Sequence, residues 1–183
     1  MNKQKVKSRR QKVKTLLLFT LYSLLFTLSV SCQQQTTTTL TTQVINTYPH
    51  DNQAFTQGLV LHGGKLYEST GQYGTSSLRE VDITTGNAIR NYVLDSQYFA
   101  EGLALVNDKL IQITWREGKA FVYDAATFNK EKTFSYEGEG WGLCYDGKDL
   151  YMSDGSATLY KRNPETFEVT GQIKVKQNSQ DVM

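Results

Sequence analysis

The chain has 183 residues, 39% of them hydrophobic, with 20 basic and 18 acidic side chains, enough length and apolar content for one folded domain. Its formal charge of +2 conceals an asymmetry: residues 1–14 hold seven Lys or Arg and no acid, which leaves 13 basic against 18 acidic residues, a net of −5, in the remainder. That mildly acidic remainder offers no polyanion-binding surface and excludes a nucleic-acid partner.

The basic start runs into Leu16–Val30, an apolar stretch of 15 residues with Thr and Ser mixed in. It is short for a membrane span and suits the hydrophobic region of a signal peptide. Leu28-Ser29-Val30-Ser31-Cys32 follows and resembles the bacterial lipobox, although Ser29 stands where Leu is usual and Leu28 lies one place early. Residues 1–32 are therefore expected to export the chain, with Cys32 lipidated and tethering it to a membrane. An uncleaved signal anchor or ordinary secretion would instead leave Cys32 a small residue near a cleavage site. The expected location is membrane-anchored, periplasmic or extracellular. Residues 33–43, dominated by Gln and Thr, are too polar to build a core and read as a linker.

Strand patterns fill the rest, residues 44–183. Val44–Tyr48 is a candidate lone strand. Leu59–Leu61, a turn at His62-Gly63-Gly64-Lys65, Leu66–Thr70, Ser77–Asp82, a turn at Thr84–Asn87 and Ala88–Val93 form a first unit. A second contains Leu103–Val106, Leu110–Thr114, Ala120–Asp124 and Thr133–Tyr136. A third contains Leu143–Tyr145, Leu150–Ser153, Thr158–Arg162 and Glu168–Val175. The turns Val81-Asp82, Tyr123-Asp124 and Arg162-Asn163 recur. No helical periodicity follows residue 33.

The units share a register. Gln57-Gly58-Leu59, Glu101-Gly102-Leu103 and Trp141-Gly142-Leu143 are spaced by 44 and then 40 residues. A period of about 40–50 residues built of short strands predicts an all-β β-propeller with one four-stranded blade per repeat. Quasi-symmetric blades place equivalent positions around a common centre, so Gln57, Glu101 and Trp141 are expected to face one site. Propellers close with four to eight blades. Three repeats would leave apolar flanks uncovered, and the polar end Lys174–Met183 has no pattern of a capping strand. The expectation is a truncated propeller of about three blades.

Outside residues 1–43 the chain has one Cys, Cys144, in an apolar run where it reads as a small buried hydrophobe. His50 and His62 read as loop residues without metal-ligand spacing. Asp154 reads as a turn-former.

Several motifs carry a family likeness. Tyr48-Pro49-His50-Asp51, Phe55-Thr56-Gln57-Gly58-Leu59, Tyr67–Gly74 and Ser76–Arg79 resemble the plant and bacterial glutaminyl cyclases. So do Phe99–Leu103, Gln112–Trp115, Gly140–Leu143 and Met152–Ser156. The resemblance covers residues 44–173 and stops near Val175. It implies a five-bladed propeller that converts N-terminal Gln of peptides or proteins to pyroglutamate and releases ammonia. It implies no cofactor and no metal in catalysis, and leaves room for a structural divalent cation between blades.

The resemblance points to Glu68 as the acid/base. The repeat register adds a reason, because Glu68 stands where the other units carry Gln112 and Met152. Gln57 matches a substrate-contacting Gln, whose amide complements another amide. Phe55, Tyr67, Trp115 and Trp141 are expected to line the substrate and exclude water. Glu101 would bind the substrate α-amine or brace the channel. Two other readings stay open at this stage: an exported propeller that binds without catalysis, and an inactive remnant.

Overall fold

The protein is described by a computed structural model covering residues 39–177 and 180–182. The expected signal segment, with Cys32, and much of the expected linker fall outside the described residues. The chain divides into two units, Met1–Val44 and Ile45–Met183. Of the first, residues 39–44 are exposed coil. All the described strands belong to the second.

Twelve strands form three four-stranded antiparallel sheets in meander order. Blade 1 is β1 (Thr56–His62), β2 (Lys65–Thr70), β3 (Ser77–Val81) and β4 (Ala88–Val93). Blade 2 is β5 (Ala100–Val106), β6 (Lys109–Thr114), β7 (Lys119–Asp124) and β8 (Lys130–Ser135). Blade 3 is β9 (Leu143–Tyr145), β10 (Leu150–Ser153), β11 (Thr158–Arg162) and β12 (Val169–Lys174). This is the expected all-β, propeller-like arrangement. Strand alternation sends successive side chains to opposite faces, and two cores result. Tyr67 and Leu78 of blade 1 bury against Leu103, Leu110, Phe121 and Tyr123 of blade 2. Ala104, Ile111 and Ile113 of blade 2 bury against Leu143, Leu150 and Met152 of blade 3. Each fully buried Leu or Ile stabilises the fold by about 1.5–3 kcal/mol.

The recurring glycines sit where first strands meet. β1 lies against β5, and β5 against β9. A Cβ on Gly58 would stand 2.7 Å from the Leu103 nitrogen, and one on Gly102 would collide with the Leu143 nitrogen. Gly102 N donates to the Trp141 carbonyl at 2.8 Å. Close approach of backbones thus requires Gly at these two positions.

The recurring turns have one cause. Asp82 Oδ1 accepts from the amides of Thr84 and Thr85, both at 2.9 Å. Asp124 Oδ1 accepts from Ala126 and Thr127, and Asn163 Oδ1 from Glu165 and Thr166. Each turn ends on a residue in the left-handed region: Gly86, Phe128 and Phe167, at φ 74°, 63° and 63°. The two Phe rings are buried in the inter-blade cores, which offsets their backbone strain. At Gly86 a Cβ would meet the Pro49 carbonyl oxygen at 2.6 Å, because the segment leading into β1 crosses there.

Four sequence expectations are corrected. Val44–Tyr48 is exposed coil, not a strand; neither neighbouring segment pairs with its backbone. β8 begins at Lys130, three residues earlier than Thr133. Its first four residues are charged or polar and exposed, so an apolar pattern misses this solvent-side strand. Cys144 is exposed, because it alternates with Leu143 and points away from blade 2. After β12, β13 (Lys176–Gln177) and β14 (Gln180–Asp181) pair as a short hairpin in the segment expected to lack strands.

Candidate functional site

Gln57, Phe99, Glu101, Trp115 and Trp141 line a cavity of about 280 Å³. Each of the first-strand positions before Gly-Leu contributes to it, as the repeat register predicts. The register pairing slips between Thr56 and Gly58 and between Ala100 and Leu103. A bulge of this kind re-aims a side chain at the end of a strand. Gln57 Nε2 donates to Glu101 Oε1 at 2.8 Å across the two blades.

Aromatic rings close the cavity. Phe99 meets Phe55, Tyr73 and Trp115 edge-on, with centroids 6.1, 5.4 and 5.6 Å away. Its ring lies over Gly71, where any Cβ would collide with it. Phe55 is half exposed and reaches the cluster through Phe99. Tyr73 Oη donates to Glu117 Oε1 at 2.8 Å, linking the loop after β2 to the loop after β6. Trp141 covers Gly155, whose Cβ would stand 3.0 Å from the indole.

Glu101 is the carboxyl group of this cavity. Burial pushes its pKa up to about 7; the Gln57 amide works against that shift and the charge of Glu139 adds to it. Its backbone is braced from below: Gln112 Nε2 donates to Ser69 Oγ at 2.8 Å, and Ser69 Oγ donates to the Glu101 carbonyl at 2.5 Å. Both Ser69 and Gln112 are fully buried. Glu139 Oε2 accepts the indole N–H of Trp115 at 2.8 Å and of Trp141 at 3.0 Å. These bonds, Trp115's first, hold Glu139 below the usual carboxylate range.

Two predicted residues lie elsewhere. Glu68 is 1% exposed and does not line the cavity. It points to the opposite face of β2 from Ser69, where Thr56 Oγ1 donates to its Oε1 at 2.6 Å and His50 Nε2 lies 2.9 Å from the same oxygen. Arg79 and Asp51 pair beside it at 2.9 Å. Its register equivalents are Gln112 and Met152, as expected; Gln112 reaches Ser69 and Ser77 of the preceding blade, and Met152 packs into the core shared by blades 2 and 3. Tyr67, 4% exposed, packs into the blade 1–2 core against Phe128 and does not line the cavity.

Phe99 and Glu139 were absent from the expected site. Both stand two residues before the Gly-Leu landmark residue of their unit, as Phe55 does in the first, so the repeat itself carried the signal. His50, read as a plain loop residue, is the partner of Glu68. Among the described residues, no group of three or more His, Cys, Asp or Glu side chains is placed to hold a metal ion, and no helix is long and apolar enough to cross a membrane.

A family model described as glutamine cyclotransferase matches residues 17–183. The glutaminyl-peptide cyclotransferase of Arabidopsis thaliana is 44% identical over 142 residues, covering 76% of this chain and 44% of that protein. The crystal structure of Myxococcus xanthus glutaminyl cyclase is similar with a TM-score of 0.71 and 39% identity, over 76% of this chain and 59% of that one. The WD40 domain of Neurospora crassa Pan2 is similar in fold alone, with a TM-score of 0.54 and 11% identity, over 65% of this chain and 36% of that one. The chain spans less than two thirds of the length of the Arabidopsis and Myxococcus proteins that it matches.

Proposed function

Since this chain belongs to the glutamine cyclotransferase family, we propose that it cyclises N-terminal glutaminyl residues of peptides or proteins, with Glu101 moving the proton. The observation that carries this reading is one carboxyl group, raised to about 7, in an aromatic-walled cavity beside a primary amide.

The reaction needs the α-amine to attack the Cδ of its own side-chain amide. A C–N bond forms, the bond to the amide nitrogen breaks, and ammonia departs. The unperturbed α-amine titrates near 7.7–8.0, so a neutral fraction exists at pH 7–8. Glu101 as carboxylate takes the proton that the attacking nitrogen loses. As carboxylic acid it returns that proton to the departing nitrogen. A group with a pKa near the working pH serves both steps. In this reading the Gln57 amide pairs with the substrate's side-chain amide through complementary donor and acceptor. Phe99, Trp115 and Trp141 keep water away, which limits competing hydrolysis of the amide. The proposed steps use side chains alone.

Export belongs to the same reading. The basic residues 1–14, the apolar Leu16–Val30 and Cys32 are the proposed signal and lipid attachment, which would place the cavity outside the cytoplasm on a membrane tether. Mass spectrometry of the membrane-fraction protein tests it: a diacylated Cys32 as the new N-terminus is expected, and an intact Met1 or a soluble chain cleaved elsewhere overturns it.

The test of the activity is ammonia release from a Gln-initiated peptide, read with the mass of the product. One ammonia per pyroglutamyl peptide is expected. Release that persists unchanged in Glu101→Gln, or an absence of release by the wild-type chain, overturns the assignment.

A further inference from the structure

The chain contains two tryptophans, Trp115 and Trp141, and both line the cavity. They come from different blades, at the end of β6 and just ahead of β9. Their indole N–H groups nevertheless converge on a single oxygen, Oε2 of Glu139. The other oxygen, Oε1, accepts from Arg116 Nε at 3.0 Å, and the Arg116 guanidinium stacks over the Trp115 ring at 3.7 Å from its centroid. Glu139 does not itself line the cavity. Its neighbour Gly140 is buried, donates its amide to the Trp115 carbonyl at 2.7 Å, and has no room for a Cβ beside the Tyr136 hydroxyl and the Thr114 carbonyl. The backbone that carries Glu139 is thus fixed to the same blade edge as Trp115.

We propose that Glu139 is a positioning residue: one carboxylate that sets the two indoles as a paired wall for the substrate and places a fixed negative charge beside Glu101. A neutral residue could pack the same space. An acceptor shared by two N–H donors and a cation is what gives direction to both rings. The charge has a second consequence. Glu139 raises the pKa of Glu101, so its loss would bring Glu101 back toward the ordinary carboxylate range.

The kinetic part of the inference rests on the cyclisation reading; the placement of the indoles does not. Because the chain has no other Trp, its intrinsic fluorescence reports on this wall directly. The experiment compares wild type, Glu139→Gln and Glu139→Ala in the full chain. A glutamine side chain keeps one oxygen able to accept both indoles and removes the charge; Arg116, exposed, can swing away from the new amide nitrogen. Alanine removes both functions.

In Glu139→Ala the Trp emission is expected to shift to the red, and the emission change on adding a Gln-initiated peptide to be lost. In Glu139→Gln emission stays near wild type. In turnover, Glu139→Ala raises KM about tenfold, the equivalent of one lost charge-assisted hydrogen bond. Both variants move the acidic limb of the pH–rate profile downward. Wild-type emission and KM in Glu139→Ala would overturn the clamp. An unmoved acidic limb in Glu139→Gln would overturn its electrostatic part. A wild-type chain that releases no ammonia defeats the cyclisation reading, while the fluorescence comparison still decides the clamp.

Discussion

Glu68 and Glu101 are both carboxyl groups brought out of water by blade packing, and their surroundings differ. Glu68 is sealed at 1% exposure, with Thr56 and His50 converging on one oxygen. Glu101 is half-buried, has one donor in Gln57, feels the charge of Glu139, and opens into a cavity. Burial alone does not mark a reacting group. A half-buried carboxyl short of donors beside open space can exchange its proton with a substrate.

The sharpest way to break the comparison is to neutralise each in turn. Glu101→Gln should lower ammonia release by about 10²–10⁴-fold, the usual span for a lost general acid/base. Glu68→Gln should stay within about twofold of wild type per folded molecule. The reverse result, measured in parallel on one peptide, would return the catalytic role to Glu68.

The two clusters also differ in what they span. Gln57–Glu101–Trp141 crosses three blades, while Glu68, Thr56 and Arg79 belong to blade 1. Gly102→Ala forces a Cβ onto the Leu143 backbone and should destabilise the fold by roughly 1–3 kcal/mol. It should also weaken peptide binding seen by Trp fluorescence. Gly142→Ala meets only the Ser153 hydroxyl, at 3.0 Å, and should cost far less. Equal urea midpoints for the two variants would remove the close-approach argument for the repeat. Glu68→Leu, in turn, strips the acceptor from Thr56 and His50. It should lower stability by about 1–3 kcal/mol and leave the KM of the surviving folded protein unchanged.

Much of this was legible in the chain. The 44- and 40-residue spacing located Gly58 and Gly102, and with them the convergence of Gln57, Glu101 and Trp141. The Asp82, Asp124 and Asn163 turns were legible because a short side-chain acceptor is a local signal. The different placement of Glu68 and Glu101 was not. The repeat register shows that Glu68, Gln112 and Met152 are equivalent, but not which face of β2 looks toward blade 2. Pairing fixes that face: Ser69, one residue later, is the side chain that reaches Glu101. The same alternation buried Tyr67 in the core and exposed Cys144. Glu139 escaped because it touches the cavity through its two tryptophans, and a side chain that acts through others leaves no motif of its own. The position was still marked, two residues before Trp141 as Phe99 is before Glu101.

The smallest effect is a pH dependence of stability, and its sign tests the part given to Glu101. The native Glu101 carboxyl holds its proton up to about 7, while in the unfolded chain it lets go near the ordinary value of 4.5. Between those pH values the native state binds more protons than the unfolded one, so this residue makes stability fall as pH rises, and its effect is constant above and below the window. Glu101→Gln removes the titration. Variant and wild type should differ least near pH 4, where the native and unfolded carboxyls are both largely protonated. At pH 8 the variant should melt higher by on the order of a few degrees, the solvent at the exposed half of Glu101 keeping the gain small. A variant that melts lower than wild type at pH 8 would mean that the ionised carboxylate is stabilised by its surroundings. Glu101 would then be a structural group, and the cavity would have lost its acid.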